Sequence, residues 1–211
     1  MTRVALALAL GTLAAGASVG CGPPPGARAP EEAPDPGPLL PPDALPFDFQ
    51  WRQRVTASWE DGSEGFEAVL QKREGELSLV GLTPMGTPAF VLSLSPAGVT
   101  FDNRTGRELP FPPAFVVADV QRVFYPWLPP APEGLTGARE DVVRGVRVRE
   151  RYRDGELVRR AFVRPDDPER RAVHVGYGPT PPGADAPSRV VLDNGWFGYR
   201  LVIETLDQQR L

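Results

Sequence analysis

One thiol and one imidazole set the chemical limits of this 211-residue chain. Cys21 is the only cysteine, so no internal disulfide forms and no cysteine-rich zinc site is available. His174 is the only histidine, which excludes histidine-cluster metal sites and leaves any Ser-His-Asp arrangement a single candidate base. It stands between Val173 and Val175 in a strand-like stretch, so it reads as a strand residue bonded to a neighbour or to water rather than as a lone general base. Asp166, Asp167 and Glu169 sit beside Pro165 and Pro168 without the spacing of oxygen ligands, and read as a solvated turn. Asp102-Asn103-Arg104-Thr105-Gly106 has the residues of a hairpin turn more than those of a calcium loop. Arg144, Arg147, Arg149, Arg151 and Arg153 form a basic run interrupted by Glu150 and flanked by Glu140 and Asp141. They read as the wet face of one strand, with contact to anionic lipid as the functional alternative. No glycine-rich phosphate loop leads from a strand into a helix. A formal net charge of −4 argues against a nucleic-acid partner held by bulk positive charge. No enzymatic activity, cofactor or metal is expected.

Cys21 has a different chemistry in view. Residues Met1 to Gly20 begin with Arg3, run unbroken and apolar from Val4 to Leu10, and then weaken into small residues. That stretch is too short and too rich in small residues for a spanning helix, and it matches a signal peptide over 1–20. Ser18-Val19-Gly20-Cys21 resembles a bacterial lipobox, in which the cysteine becomes the lipidated N-terminus. Ser18 stands where that motif usually has Leu. Acyl chains contribute about 0.8 kcal/mol per buried CH₂, so several chains anchor durably. Gly22 follows, where Asp would signal inner-membrane retention, and this points to an outer-membrane lipoprotein facing the periplasm.

Ten prolines fall between Pro23 and Pro46, so residues 21–46 read as an extended tether that buries no core. The remainder, 47–211, is long enough for one β-rich domain.

Its elements follow from periodicity. Phe47, Phe49, Trp51, Gln53, Val55, Ala57 and Trp59 alternate with polar residues, a strand with one apolar face. Asp61-Gly62, Glu74-Gly75, Thr83 to Pro88 and Pro96 to Gly98 separate four further short strands in an antiparallel meander. After Pro112-Pro113 the period changes: Val116, Val120, Val123, Phe124 and Trp127 fall on one stripe of a helix that ends at Pro126. Pro129 to Gly137 reads as a loop. Strands resume around Val146 and Val148, at Leu157 to Val163 after the turn Asp154-Gly155, and at Ala172 to Tyr177. They close with a hairpin through Asn194-Gly195 that carries Phe197, Tyr199, Leu201 and Ile203. The fold class is therefore α+β, mostly antiparallel, with about ten strands and one or two helices.

The aromatic residues mostly fall on apolar faces. They fill a core or line a hollow for acyl chains, and the pattern alone is compatible with both. The candidate lining comprises Phe49, Trp51, Trp59, Phe66, Leu70 and Phe90 from the first strands. Leu92, Phe101, Val120, Phe124, Trp127, Tyr199 and Leu201 complete it.

The stretch Leu77 to Leu128 resembles the LolA/LolB superfamily of lipoprotein-localisation proteins, the outer-membrane receptor branch in particular. The resemblance rests on Leu82-Thr83-Pro84-Met85-Gly86-Thr87, on Asp102-Asn103 with Gly106, and on the amphipathic helix. Leu192-Asp193-Asn194-Gly195 with Leu201-Val202-Ile203 is similar to that branch's last hairpin more loosely. The whole chain is more similar still to a family of bacterial lipoproteins of unknown function, often encoded near aryl-polyene pigment genes. The resemblance implies a half-open antiparallel barrel with a helical lid over an apolar cavity. The ligand it implies is a lipid or an acylated protein, delivered by a periplasmic carrier protein. It also implies a membrane-contact loop at Pro84, Met85 and Gly86, with Met85 where the receptor has Leu; the residues alone are equally compatible with Met85 folded back onto the sheet. A structural or assembly lipoprotein with a filled barrel is the alternative reading, and a lipid hydrolase or acyltransferase the third. The long proline tether and the Arg-rich middle strands depart from the superfamily's pattern.

Overall fold

The computed structural model describes residues 36, 39–106, 112–165 and 171–211. The first long alternation forms β1 (Phe49–Trp59), with Phe49, Trp51, Gln53 and Val55 buried and Gln50, Arg52 and Arg54 exposed. Short turns then build the meander β2 (Gly62–Arg73), β3 (Glu76–Leu82), β4 (Pro88–Ser95) and β5 (Gly98–Asn103). The single α-helix among the described residues, α1 (Pro113–Phe124), follows. The second half is β6 (Gly137–Val143), β7 (Val146–Arg153), β8 (Glu156–Val163), β9 (Val173–Tyr177), β10 (Arg189–Asn194) and β11 (Tyr199–Arg210).

All eleven strands form one sheet in the order β5-β4-β3-β2-β1-β11-β10-β9-β8-β7-β6, and every pairing is antiparallel. Here β1 pairs with β11 to join the two halves at the centre. The sheet is open, because β5 and β6 are its edges and do not pair with each other. It is nevertheless curled. Strands β4 and β8 lie seven steps apart, about 34 Å if the sheet were flat. Helix α1 is only about 18 Å long, yet it touches β4 and β5 and accepts hydrogen bonds at its C-terminal end from Arg160 on β8. The sheet therefore wraps around the helix.

The helix separates two apolar clusters. One gathers Val148, Phe162, Val173, Val175, Leu192 and Trp196 around Phe115 and Val123. The other gathers Phe49, Trp51, Leu70, Leu77, Leu92 and Leu94 around Val117 and Tyr125.

Four features depart from the sequence pattern. Strand β6 occupies residues left unassigned between the loop and Val146; its mostly exposed edge position gives no alternation to read. Helix α1 buries Asp119, Gln121 and Arg122 along with Phe115 and Val117, whereas the stripe residues Val116, Val120 and Phe124 are half-buried and Trp127 lies beyond the helix end. The polar side chains are buried because each has a partner on the sheet or on the N-terminal segment. Asn194-Gly195 is not a two-residue turn. The loop runs from Gly195 to Gly198, with the Asn194 side-chain oxygen accepting from the Trp196 and Phe197 N–H groups at 3.1 and 3.2 Å. Finally, residues 39–46 of the proline-rich stretch pack onto the domain. Pro42–Ala44 forms a 3-10 turn, Leu45 is buried in the second cluster, and the Tyr125 hydroxyl donates to the Pro42 carbonyl at 3.2 Å.

Candidate functional site

Met85 sits at the tip of the β3–β4 hairpin and is 91% exposed. The tip is rigid because it is hydrogen-bonded within itself. Gly86 N–H donates to the Thr83 carbonyl at 2.8 Å, and Thr83 N–H to the Thr87 carbonyl at 2.8 Å. The two threonine hydroxyls bond each other at 2.8 Å. Pro84 at the second turn position presets its backbone, and Gly86 at φ 78° takes the left-handed conformation that follows. A large apolar side chain held in water by a stiff turn is unfavourable unless it meets something apolar.

The strands behind that tip carry a row of half-buried rings. Phe66 and Phe90 lie 6.2 Å apart, and Phe90 and Phe101 6.1 Å apart, between centroids. The row is continuous because Gly81 leaves room on β3. The Phe90 ring lies over it, 2.2 Å from where a Cβ would stand. With Leu79, Val99, Val116 and Val120, Phe90 and Phe101 form a half-exposed apolar band between α1 and β3–β5, and Phe66 on β2 joins it to the other cluster.

The residues expected to line one cavity therefore divide. Phe49, Trp51, Leu70 and Leu92 are fully buried in close packing; Phe49 stacks on Trp51 at 3.8 Å and Trp51 meets Phe124 edge-on at 5.2 Å. Phe90, Phe101, Val120 and Phe124 belong to the half-buried band. Phe66, Trp127, Tyr199 and Leu201 pack partly buried against the other cluster. Trp59 lines an open depression of about 350 Å³ at the far end of β1, with Asp193, Asn194 and Tyr199. Two buried donors on the inner face of β1, the Trp51 indole N–H and the Gln53 side-chain amide, have no acceptor among the described residues.

Three polar networks hold the helix and the segment before β1. Asp119 and Arg122 form a buried pair at 2.6 Å. Asp119 also accepts from Asn194 at 3.0 Å and from the Tyr199 hydroxyl. Burial, then the Asp119 carboxylate, push the Tyr199 hydroxyl well above the usual phenol range. Arg122 in turn lies over the Trp196 ring, 4.6 Å from its centroid. At the C-terminal end of α1, Arg160 donates to the carbonyls of Arg122, Val123 and Tyr125 at 2.8, 3.4 and 3.0 Å, satisfying carbonyls the helix end leaves open. Its charge is balanced by Glu150, 1% exposed and 2.8 Å away, which also binds Arg139 at 2.8 Å and the Tyr152 hydroxyl at 2.6 Å. Burial raises the Glu150 pKa, but Arg160, Tyr152 and Arg139 outweigh it and hold the carboxyl below the usual range. Around the start of β1, Lys72 is buried between Asp48 at 2.8 Å and Asp43 at 3.3 Å. Desolvation opposes its charge, but those two carboxylates raise the ammonium above its ordinary pKa.

A model of the family described as Protein of unknown function (DUF3261) matches residues 50–207. The chain belongs to this family. No curated protein matches the sequence. Among solved structures, a LolA superfamily protein from Nitrosomonas europaea is similar at a TM-score of 0.45 and 8% identity, covering 80% of this chain and 89% of that one. A putative outer membrane lipoprotein-sorting protein domain from Vibrio parahaemolyticus gives 0.43 and 11%, over 78% and 85%. A DUF1329 family protein from Desulfovibrio piger gives 0.37 and 11%, over 80% and 88%.

The remaining candidates in this DUF3261 chain lie apart from the apolar band. His174 is half-exposed on the outer face of β9, between the fully buried Val173 and Val175, and is in register with Ala161 and Asp193. Asp102 forms a local pair with Arg104 at 2.9 Å, and Asn103 accepts from the Thr105 N–H at 3.2 Å, as a turn requires. Arg147, Arg149, Arg151 and Arg153 lie exposed on one face of β7, as their alternation implies. Cys21, Asp166, Asp167 and Glu169 lie outside the described residues. The buried polar hubs Asp119, Glu150 and Arg160 had no sequence signal beyond their opposite charges, since alternation assigns a charged residue to water. The described helix is too short and too polar to cross a membrane.

Proposed function

We propose that this protein is a non-enzymatic outer-membrane lipoprotein, anchored through Cys21, that binds a lipid or acylated cargo in the apolar band under the edge of helix α1. The observation that carries the reading is Met85, 91% exposed at a stiff hairpin tip whose two strands lead into the ring row Phe66, Phe90 and Phe101. An acyl chain meets apolar surface there, and Met85 supplies the contact with the bilayer it leaves or enters. The half-open barrel with α1 as its lid is the form in which the curled sheet serves this role. The unpaired Trp51 and Gln53 donors suit a carbonyl of the ligand once α1 moves aside. The resemblance of Leu82 to Thr87 to the receptor branch of the lipoprotein-localisation proteins supports the same reading, with a periplasmic carrier as the source of cargo.

A filled structural lipoprotein is the second reading, favoured by the close packing of Phe49, Trp51, Leu70 and Leu92. Met85→Glu tests the first. An exposed substitution leaves stability within about 0.5 kcal/mol, and the proposal expects transfer of a fluorescent acyl probe from the protein into liposomes to slow markedly. An unchanged transfer rate in a stable variant overturns the membrane contact.

A further inference from the structure

We infer that the outer face of β7 and β8 is a second docking surface, for the anionic headgroups of a bilayer. Arg147, Arg149, Arg151 and Arg153 occupy alternate positions of β7, all exposed and about 7 Å apart along the strand. Arg151 is directly opposite exposed Arg159 on β8. Like charges facing each other across a strand pair are destabilising unless an anion lies between or over them. The acidic residues of this face are few. Glu140 is held by Arg149 at 2.9 Å, and Glu156 is in register with Arg153 but beyond ion-pair distance. Among the described residues, Arg147, Arg151, Arg153 and Arg159 have no carboxylate within 4 Å. The charge is concentrated on a chain whose formal net charge is −4, so the patch is segregated rather than a reflection of general basicity.

The path of the chain selects a membrane over an acidic protein as the occupant. Residues 39–46 are fixed to the domain, and Leu39 reaches it beside the β6–β7 turn, where Arg144 donates to the Leu39 carbonyl at 3.4 Å. Cys21 precedes Leu39 by about 18 residues, a reach of about 55 Å at the polyproline rise. An anchor at Cys21 therefore draws the β6–β7 end of the sheet toward the bilayer. Val142, 62% exposed and paired in register with Arg147, adds an apolar contact at that end. The orientation rests on the anchoring proposed above, so the test removes the anchor and reads the arginine face alone.

The Cys21→Ser chain from residue 21 onward, unacylated, is floated with vesicles of phosphatidylcholine and with vesicles also containing phosphatidylglycerol. Each arginine near an anionic surface is worth about fivefold in partition. Wild type is expected to bind the anionic vesicles more than about 25-fold more tightly, with binding lost at high salt. R151Q/R159Q should weaken it by about 25-fold and leave the melting temperature unchanged or raised, because a like-charge pair is removed. Should that variant melt early, R147Q/R153Q gives the same reading on one strand. Equal partition to both vesicle types, no binding to either, or wild-type binding by the arginine variants overturns the proposal. So does salt-sensitive capture of an acidic protein with no affinity for the vesicles.

Discussion

Removing the Glu150 carboxylate should destabilise the protein more than any surface change. Glu150→Ala leaves Arg160 buried without its counter-charge, still facing the helix-end carbonyls of Arg122 and Tyr125. Removing one partner of a buried pair costs about 3–5 kcal/mol. A chain of this size loses about 2–4 °C of melting temperature per kcal/mol, so the expected fall is about 6–20 °C. The double change Glu150→Met with Arg160→Met removes both charges, and should recover a substantial part of that loss, short of the hydrogen bonds Arg160 gives to the helix end. The pH dependence has a definite direction. Glu150 is held below the usual carboxylate range when folded, so its contribution is fully present above about pH 4.3. It is lost as the pH falls through the lower folded-state value. Urea denaturation of wild type and Glu150→Ala from pH 7 to pH 3 should show the gap closing in acid. A loss under about 1 kcal/mol at pH 7, or a gap that does not narrow in acid, would refute the reasoning.

Gly81→Ala should push Phe90 off β3, because the new Cβ would stand 2.2 Å from its ring. A loss of about 1–3 kcal/mol and a shift of the Phe66 and Phe101 ring resonances are expected. Gln121→Leu removes the bonds its side chain makes with Leu40, from the Leu40 N–H at 2.8 Å and to its carbonyl at 2.6 Å. The expected cost is about 2–3 kcal/mol, with residues 39–46 released first, so limited proteolysis should cut there before the sheet unfolds.

The strands were legible wherever one face meets water. Phe49, Trp51 and Val55 alternate with exposed Arg52 and Arg54, and period two follows directly from burial on one side. Glu74-Gly75 and Asp154-Gly155 both have positive φ at each position, as tight hairpins need, and both were readable as breaks. Arg144-Gly145 has the same geometry with φ of 52° and 79°, and that pair was the signal that would have revealed β6. Other features were illegible for physical reasons. Asp119 pairs with Arg122 one turn on, and Glu150 with Arg160 across the β7–β8 hairpin, but what draws these residues and Gln121 inside are further partners far along the chain, Asn194 for Asp119, Leu40 for Gln121 and the end of α1 for Arg160, which no local period encodes. Leu40 and Leu45 look like parts of a tether because prolines surround them, yet docking on α1 gives them a core to enter. At the site, the place of Met85 between Pro84 and Gly86 is compatible with an exposed tip and with a side chain folded back onto the sheet, and it is the structure that has it 91% exposed. The division of the aromatic residues into a packed interior and a half-exposed band depends on how far the sheet curls, which composition does not carry.

Native mass spectrometry tests the central claim, that the apolar band carries a lipid or acylated cargo. The Cys21→Ser chain, free of its own acyl chains, is secreted and recovered from the periplasm without denaturation. The account predicts a population heavier than the bare chain by the mass of a lipid or acyl chain, which dissociates on mild activation and returns when the stripped chain is incubated with acyl donors. A single species at the bare mass, before and after that incubation, would contradict it and leave the filled structural lipoprotein as the reading.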